Sequence, residues 1–500
     1  MAEETIPQAA PLDTTTMETA VSPTPTSIPL PTPQPTSLSD RALYQSGLVT
    51  AAQDSLAGLP NAPRYRLVLD VDFAGGRVYG TQATDYANGE EVILEDIYFH
   101  LLPNLLGGQI EVENVTLNGQ PVEPILEEAF DSVMRLPLET PLAPGESIRV
   151  EMSFETAVPQ QLERNYGVFA QADDIMALSH FYPMAAVYDE TGWNTAPASV
   201  QGDPTYGDAA FYQVTVTTGS EQVVAASGVT LNETIADGRQ TLELAAGPAR
   251  DFYLAISPRY DVVSRTVGET TINSYAPAEF MDGAADAAAF AADALRLFEA
   301  RFGPYPYTEL DIVATPTLAL GIEYPGIIAL TLREYDAANP IDPNLPNQVF
   351  METTTAHEVG HQWFYNLVGS DQLDEPWLDE AVTQYITYLY YLDMYGEDAA
   401  NGYKESWNGR FNRVDNTPIP IGLPVSAYEG AEYSAIVYGR GPLFVEALAQ
   451  EMGQDTFDAF LADYVAQHRW GIATTASFRQ LAEEHCNCDL SALFEEWVYE

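Results

Sequence analysis

Positive charge is scarce in this chain of 500 residues: Lys404 is its only lysine, and Lys and Arg together number 20 against 73 Asp and Glu, a formal net charge of −53 at pH 7. A surface of that sign repels polyanions, which excludes nucleic acid and anionic membranes as partners, and it attracts cationic ligands. Cysteine is nearly absent. Cys486 and Cys488 are separated by one residue, which makes no disulfide framework and would close a strained ring, so they read as two small structural or surface thiols. No run of eighteen apolar residues occurs, and no bilayer-spanning helix is expected. The basic start followed by an apolar stretch that marks a secretory leader is also missing.

What the chain does have is apolar residues, 46% of the total, enough to build the cores of two or three domains. Its first forty residues stand apart. Ser22-Pro23-Thr24-Pro25-Thr26 and Pro29-Leu30-Pro31-Thr32-Pro33-Gln34-Pro35 cannot bury apolar surface and favour extended conformations, so residues 1–41 read as a disordered tether. Tethers of this kind suit an extracellular or cell-surface protein, with Met1 standing where a leader has been removed. From residue 42 to 256 the pattern is strand-like. Arg64–Phe73, Ile110–Val115, Ser147–Met152 and Tyr212–Thr217 alternate polar and apolar residues, with turns such as Asn118-Gly119 and Asp237-Gly238 between strands. This predicts an antiparallel β domain. After Ser257-Pro258 the period becomes helical, with an Ala-rich amphipathic helix over Asp282–Phe302 and a short strand at Leu310–Ala314, so a second domain spans residues 257–500.

The chemistry concentrates in that second domain. His357-Glu358-Val359-Gly360-His361 places two imidazoles one helical turn apart on one face, where both can reach one ion at ~2.0–2.1 Å, with Glu358 beside them as a base. By itself this pattern arises by chance in many helices. Eighteen residues separate His361 from Glu380, which lies in Pro376-Trp377-Leu378-Asp379-Glu380-Ala381, a loop that opens a new helix at Pro376 and carries a third ligand back to the ion. Two histidines and a glutamate with the fourth position left to water form a recurring catalytic zinc set, so the expected cofactor is Zn and the expected chemistry hydrolysis.

Further motifs follow one another in a recognisable order: Gly202-Asp203-Pro204-Thr205-Tyr206, Ala249-Arg250-Asp251-Phe252, Phe302-Gly303-Pro304-Tyr305-Pro306-Tyr307, Gly321-Ile322-Glu323-Tyr324-Pro325, the zinc signature, and Val437-Tyr438-Gly439-Arg440-Gly441. Over residues 60 to 500 the chain resembles the gluzincin aminopeptidases of the aminopeptidase N and leukotriene hydrolase family. The resemblance implies an α+β protein, an N-terminal antiparallel β domain followed by a thermolysin-like, mainly helical zinc peptidase domain. It also implies a short form without the family's C-terminal helical domain and with a more open cleft, since Leu490–Glu500 resembles the end of the catalytic domain. The resemblance also implies peptide substrates with a free N-terminus, Tyr438 as the group that stabilises the oxyanion, and Glu323 within the motif that begins at Gly321 as the carboxylate for the substrate's α-ammonium. Tyr324 follows Glu323 where the family has asparagine. A second amine-binding residue is expected from the β domain, and Gln171-Ala172-Asp173 is the nearest match, giving Asp173 with Asp174 equally acidic beside it. His100, His180 and His468 have no partner at ligand spacing and read as structural. A thermolysin-like endopeptidase and a surface peptide-binding module without activity are the competing readings; Glu323 opposes the first, and the intact set of His357, Glu358, His361, Glu380 and Tyr438 opposes the second.

Overall fold

Alternation along Arg64–Asp72 buries Tyr65, Leu67, Leu69 and Val71 and turns the residues between them outward, so this strand has one face for a core and one for solvent. It lies inside an eight-stranded sheet whose order runs Val229–Ala236, Arg239–Ala249, Ala210–Gly219, Arg64–Asp72, Arg77–Ala87, Ser147–Ala157, Gln109–Leu117 and Gln120–Pro121. Here and below, the computed structural model describes residues 41–162, 164–196, 202 and 206–500. The tether expected over residues 1–41 therefore lies outside the described residues but for Arg41. Both predicted turns are present with positive φ at each central residue, 49° and 78° at Asn118-Gly119 and 53° and 74° at Asp237-Gly238, which matches the twist of a two-residue hairpin.

One pairing departs from the antiparallel expectation. Arg64–Asp72 runs parallel to Ala210–Gly219, while its other neighbour, Arg77–Ala87, is antiparallel. Two four-stranded sheets, one containing Phe169–Ala172 and Ile175–Leu178 and the other Leu94–His100 and Val133–Leu142, share a core with the large sheet through Ile97, Met134, Met176, Leu178, Leu67 and Val214.

The helical period does not begin at residue 258. Tyr260–Val267 and Thr270–Pro277 come first as strands, and with Glu309–Thr315, Ile327–Thr331 and Gly321–Tyr324 they form a five-stranded sheet in that order. Two of the strands so missed carry no alternation signal. Tyr260–Val267 is an edge strand with mostly exposed residues, whereas Ile327–Thr331 is buried at every position because its parallel neighbour and the layers on both faces leave none for water. The Ala-rich helix spans Met281–Phe302 and buries Ala284, Ala287, Ala288, Ala291, Ala294, Leu295 and Phe298, a stripe at helical spacing whose small side chains permit close packing.

Two helices cross beside this sheet, Asn347–Gly360 and Trp377–Tyr395. They approach because Gly360 has no side chain: a Cβ there would lie 2.8 Å from Ile386 Cδ1 and 3.0 Å from Thr383 Cγ2. Gly441 does the same against Ala381, where a Cβ would meet the alanine's at 2.6 Å.

The residues after the first helix are held by Arg250. Its guanidinium, 2% exposed, donates to the carbonyls of Tyr365 (2.7 Å), Asn366 (3.0 Å), Gly207 (3.0 Å), Leu367 (3.4 Å) and Gly471 (2.6 Å). Gly369 leaves the room, since a Cβ there would fall 2.2 Å from the Arg250 Cζ. Burial disfavours the charge and Asp208 favours it. The two cysteines form a disulfide rather than the free thiols expected. Cys486 ends the helix Thr475–Cys486, and Asn487 in the left-handed region folds the chain back, bringing the two Cα atoms to 5.1 Å, within bridging range.

Replacing Arg250 with Leu strips five carbonyls of a donor; those of Leu367 and Gly471 keep a backbone N–H, and each of the others left unmet costs about 1–3 kcal/mol. The variant is expected to lose at least about 3 kcal/mol of stability in urea melts; a midpoint within error of the parent would show that the clamp does not stabilise the fold.

Candidate metal centre and active site

The Asn347–Gly360 helix ends one residue before its second ligand. His361 is its C-cap with φ −62° and ψ −15°, still helical, and its N–H reaches the His357 carbonyl at 3.2 Å, so the two imidazoles keep their one-turn spacing. Beyond it, Gln362–Leu367 leave regular geometry, with Phe364 at φ −110° and ψ 60°. The segment pinned by Arg250 is this one. Glu380 sits in the first turn of Trp377–Tyr395, directly after Pro376, as the loop-then-helix pattern predicts.

The three ligand atoms form a small triangle. His357 Nε2 lies 3.1 Å from Glu380 Oε2 and 3.2 Å from His361 Nε2, and His361 Nε2 lies 3.5 Å from the same carboxylate oxygen. Ligands held tetrahedrally at ~2.0–2.1 Å from one zinc ion stand ~3.3–3.4 Å apart. The fit is close, and a set of two imidazoles and one carboxylate is one that zinc takes, so zinc is the cofactor these residues suit. All three side chains are buried. Each histidine is steered from behind: His361 Nδ1 meets Asp379 Oδ1 at 2.6 Å, with Phe364 O and Thr383 Oγ1 at 3.2 and 3.3 Å, and His357 Nδ1 meets Thr387 Oγ1 at 3.4 Å. Such contacts leave Nε2 as the lone-pair donor toward the ion.

Electrostatics point the same way. Burial opposes charge on His361, but the carboxylates of Asp379, Glu323 and Glu380 outweigh it and hold the imidazole well above its ordinary range. Burial also opposes charge on Glu380, and the two histidines override it and hold the carboxyl low. A buried group of anions this dense favours a cation at its centre.

Glu358, next to the first ligand, is buried and faces Gly321: a Cβ on Gly321 would lie 2.5 Å from Glu358 Oε1 and 2.6 Å from Thr354 Cγ2. The glycine lets the strand Gly321–Tyr324 pass over the Glu358 carboxylate. Two residues along that strand is Glu323, also buried, whose carboxylate oxygen, with one from Glu358 and a nitrogen of His361, forms a group within 4.8 Å of one another. Tyr438 lies in the irregular turn Ile436–Arg440, half-buried, its ring 6.3 Å from that of His357 and edge-on to Tyr433 at 5.8 Å. Its neighbours explain the flanking residues. A Cβ on Gly439 would meet Phe411 N at 2.9 Å, and Arg440 donates to the carbonyls of Ile419, Trp497 and Glu496 while stacking 4.7 Å from the Trp497 ring.

The fold thus brings His357, Glu358, His361, Glu380, Glu323 and Gly321 together, with Tyr438 one ring away. Asp173 stands apart from them. It is exposed at the tip of the hairpin Phe169–Ala172/Ile175–Leu178, with positive φ, and its carbonyl accepts from Arg259 at 2.8 Å. A two-residue hairpin needs left-handed residues at its tip, and that requirement places Asp173 and Asp174 there. His180, read as structural, pairs through Nε2 with buried Asp251 at 3.3 Å. Asp379, Thr383, Thr387 and Gln372 escaped sequence reasoning; only Asp379, adjacent to the ligand Glu380, carried any positional hint.

Two histidines on one helix and a glutamate on the next, with the buried carboxylate of Glu358 beside the first histidine, make a gluzincin-type metal centre. Residues 287–497 match the family model described as Peptidase family M1 domain. Aminopeptidase M1-B of Oryza sativa subsp. japonica is 25% identical over 320 residues, 59% of this chain and 35% of that protein, and Aminopeptidase M1 of Arabidopsis thaliana is 29% identical over 230 residues, 43% and 26%. The chain therefore spans about a quarter to a third of the length of the curated relatives it matches. Among solved structures, the M1 zinc metallopeptidase from Deinococcus radiodurans has a TM-score of 0.63 at 20% identity, covering 91% of this chain and 95% of the other. A structure of a mutant of that protein, bound to a Tyr-Ser-Ala substrate, gives 0.63 over 93% and 98%. These neighbours share the fold. Over residues 287–497 the chain thus resembles an aminopeptidase N-like gluzincin domain of peptidase family M1.

Because Asp379 orients His361, Asp379→Ala is expected to weaken zinc binding about 10–100-fold without unfolding the protein, measured by competition with a chromogenic chelator. Affinity equal to the parent would remove Asp379 from that role.

Proposed function

We propose that this protein is a zinc-dependent aminopeptidase that removes the N-terminal residue from peptides. The observation that carries the reading is the buried Glu323 carboxylate beside Glu358 and His361, a fixed negative charge next to the metal position. When bound, zinc supplies a polarised scissile carbonyl and a water acidic enough to be deprotonated near neutral pH. Glu358 takes the proton from the attacking water and returns it to the leaving amine, a role its place between the ligands and the strand Gly321–Tyr324 allows. Tyr438 donates to the oxygen that becomes negative in the transition state, charge the ground state lacks. Glu323 pairs with the α-ammonium, and that pairing sets the scissile bond one residue from the N-terminus. The relatives' names and the neighbour that holds a Tyr-Ser-Ala substrate support peptides as substrates.

In the zinc-loaded protein, Glu358→Gln is expected to keep the metal and lose ~10²–10⁴-fold in kcat, and Tyr438→Phe ~10²-fold. Parent-like turnover in either variant would reassign that residue.

The reading as a whole is tested on a ten-residue peptide, free or N-acetylated, with products followed by mass spectrometry. Stepwise loss from the free form only, with the preference for the free amine falling roughly 10²-fold in Glu323→Ala, is the expected result. Internal cuts in both forms would make the protein a thermolysin-like endopeptidase, and no cleavage of either would leave a peptide-binding module.

A further inference from the structure

We infer that Gln372 is a positioning residue of the amine site, which locks the Glu323 carboxylate in place and ties it to the group that orients the metal ligand His361. The inference rests on the reading of Glu323 as the amine-binding carboxylate. Gln372 Nε2 donates to Glu323 Oε1 at 3.2 Å and to Asp379 Oδ2, and the other oxygen of Asp379 holds His361 Nδ1 at 2.6 Å. A primary amide has two N–H donors. Here one goes to each carboxylate, so a single side chain spans the amine site and the metal site. Gln372, Glu323 and Asp379 are 3%, 5% and 2% exposed, which removes water as a substitute for either bond.

The residue type is informative. A carboxylate at this position would add a third negative charge between two others, and an ammonium would neutralise Glu323 and compete with the substrate's own ammonium. A neutral amide orients the carboxylate while leaving it its charge and most of its lone pairs for the ligand. The backbone beneath is fixed as well. Asp371 Oδ1 accepts from the N–H groups of Leu373 and Asp374, both at 2.9 Å, and its Oδ2 accepts from Asn194 Nδ2 at 2.9 Å, which anchors the Gln372 loop to a residue of the β-rich half. An aspartate that bonds the amides two and three residues on holds its own turn rigid.

The test compares Gln372→Met, equal in length without donors, with Gln372→Asn, which keeps the amide but falls a methylene short. Both are made in the zinc-loaded parent and in Glu323→Ala. Steady-state kinetics on an aminoacyl amide are paired with zinc content and with calorimetric binding of a free amino acid and its N-acetyl derivative. The expected result in the parent is a KM raised roughly tenfold or more, kcat within about threefold, unchanged zinc, and free amino acid binding weakened by the same factor while the acetylated compound is unaffected. In Glu323→Ala the same substitutions should change KM by less than about twofold, because the group they act through is gone. Parent-like KM and binding in both Gln372 variants would overturn the proposal alone, as would a tenfold loss that persists in Glu323→Ala. If Glu323→Ala itself leaves the free-to-acetylated ratio unchanged, the amine reading falls and this proposal with it.

Discussion

Three ligand atoms can share one ion only if the two helices that carry them come together with no side chain between, and the rest of the catalytic half is arranged around that approach. Gly360 and Gly441 supply the gap on either side of the Trp377–Tyr395 helix, and Thr383, Thr387 and Asp379 on that helix then reach the two imidazoles. A methyl group at residue 360 would push Ile386 and Thr383 away and open a triangle whose edges are now 3.1, 3.2 and 3.5 Å. Ligand geometry on this scale does not tolerate a displacement of an ångström.

The same approach concentrates negative charge. Glu323, Glu358, Asp379 and Glu380 are all buried within one site, an arrangement that costs several kcal/mol per uncompensated charge unless a cation joins it. A proton on His361 can answer part of that demand, and a dication that binds at its Nε2 displaces that proton and answers it in its place. The amine-binding role proposed for Glu323 places a further positive group in a site already shaped for positive charge. Donors without charge, Gln372 above all, hold these carboxylates in place without cancelling them.

The β-rich half contributes through fastening rather than ligands. Arg250 gathers the carbonyls that follow His361, and Asn194 bonds Asp371 beneath the Gln372 loop, so both segments that flank the metal site are anchored from residues more than a hundred positions earlier. Arg250 was visible in the sequence as part of Ala249-Arg250-Asp251-Phe252, but nothing local says where five buried N–H donors will point. Asp173 illustrates the converse. Its chemistry suited an amine site, and the hairpin that requires left-handed residues at its tip put it on the surface instead.

Sequence by itself determined the elements whose signals are periodic or tightly spaced: the alternating strands such as Arg64–Asp72, the alanine-striped helix Met281–Phe302, the turns Asn118-Gly119 and Asp237-Gly238, and the ligands, which lie within 24 consecutive residues, His357 to Glu380. These are short-range facts, fixed by covalent spacing and backbone geometry. Tertiary structure decided what has no local signature. It set the parallel pairing of Arg64–Asp72 with Ala210–Gly219, the fully buried strand Ile327–Thr331, the disulfide closed by the left-handed turn at Asn487, and the convergence of Gln372 with Glu323, 49 positions away. Each of these depends on which distant surfaces exclude water together, and that is settled by the packing of the whole chain rather than by any window of it.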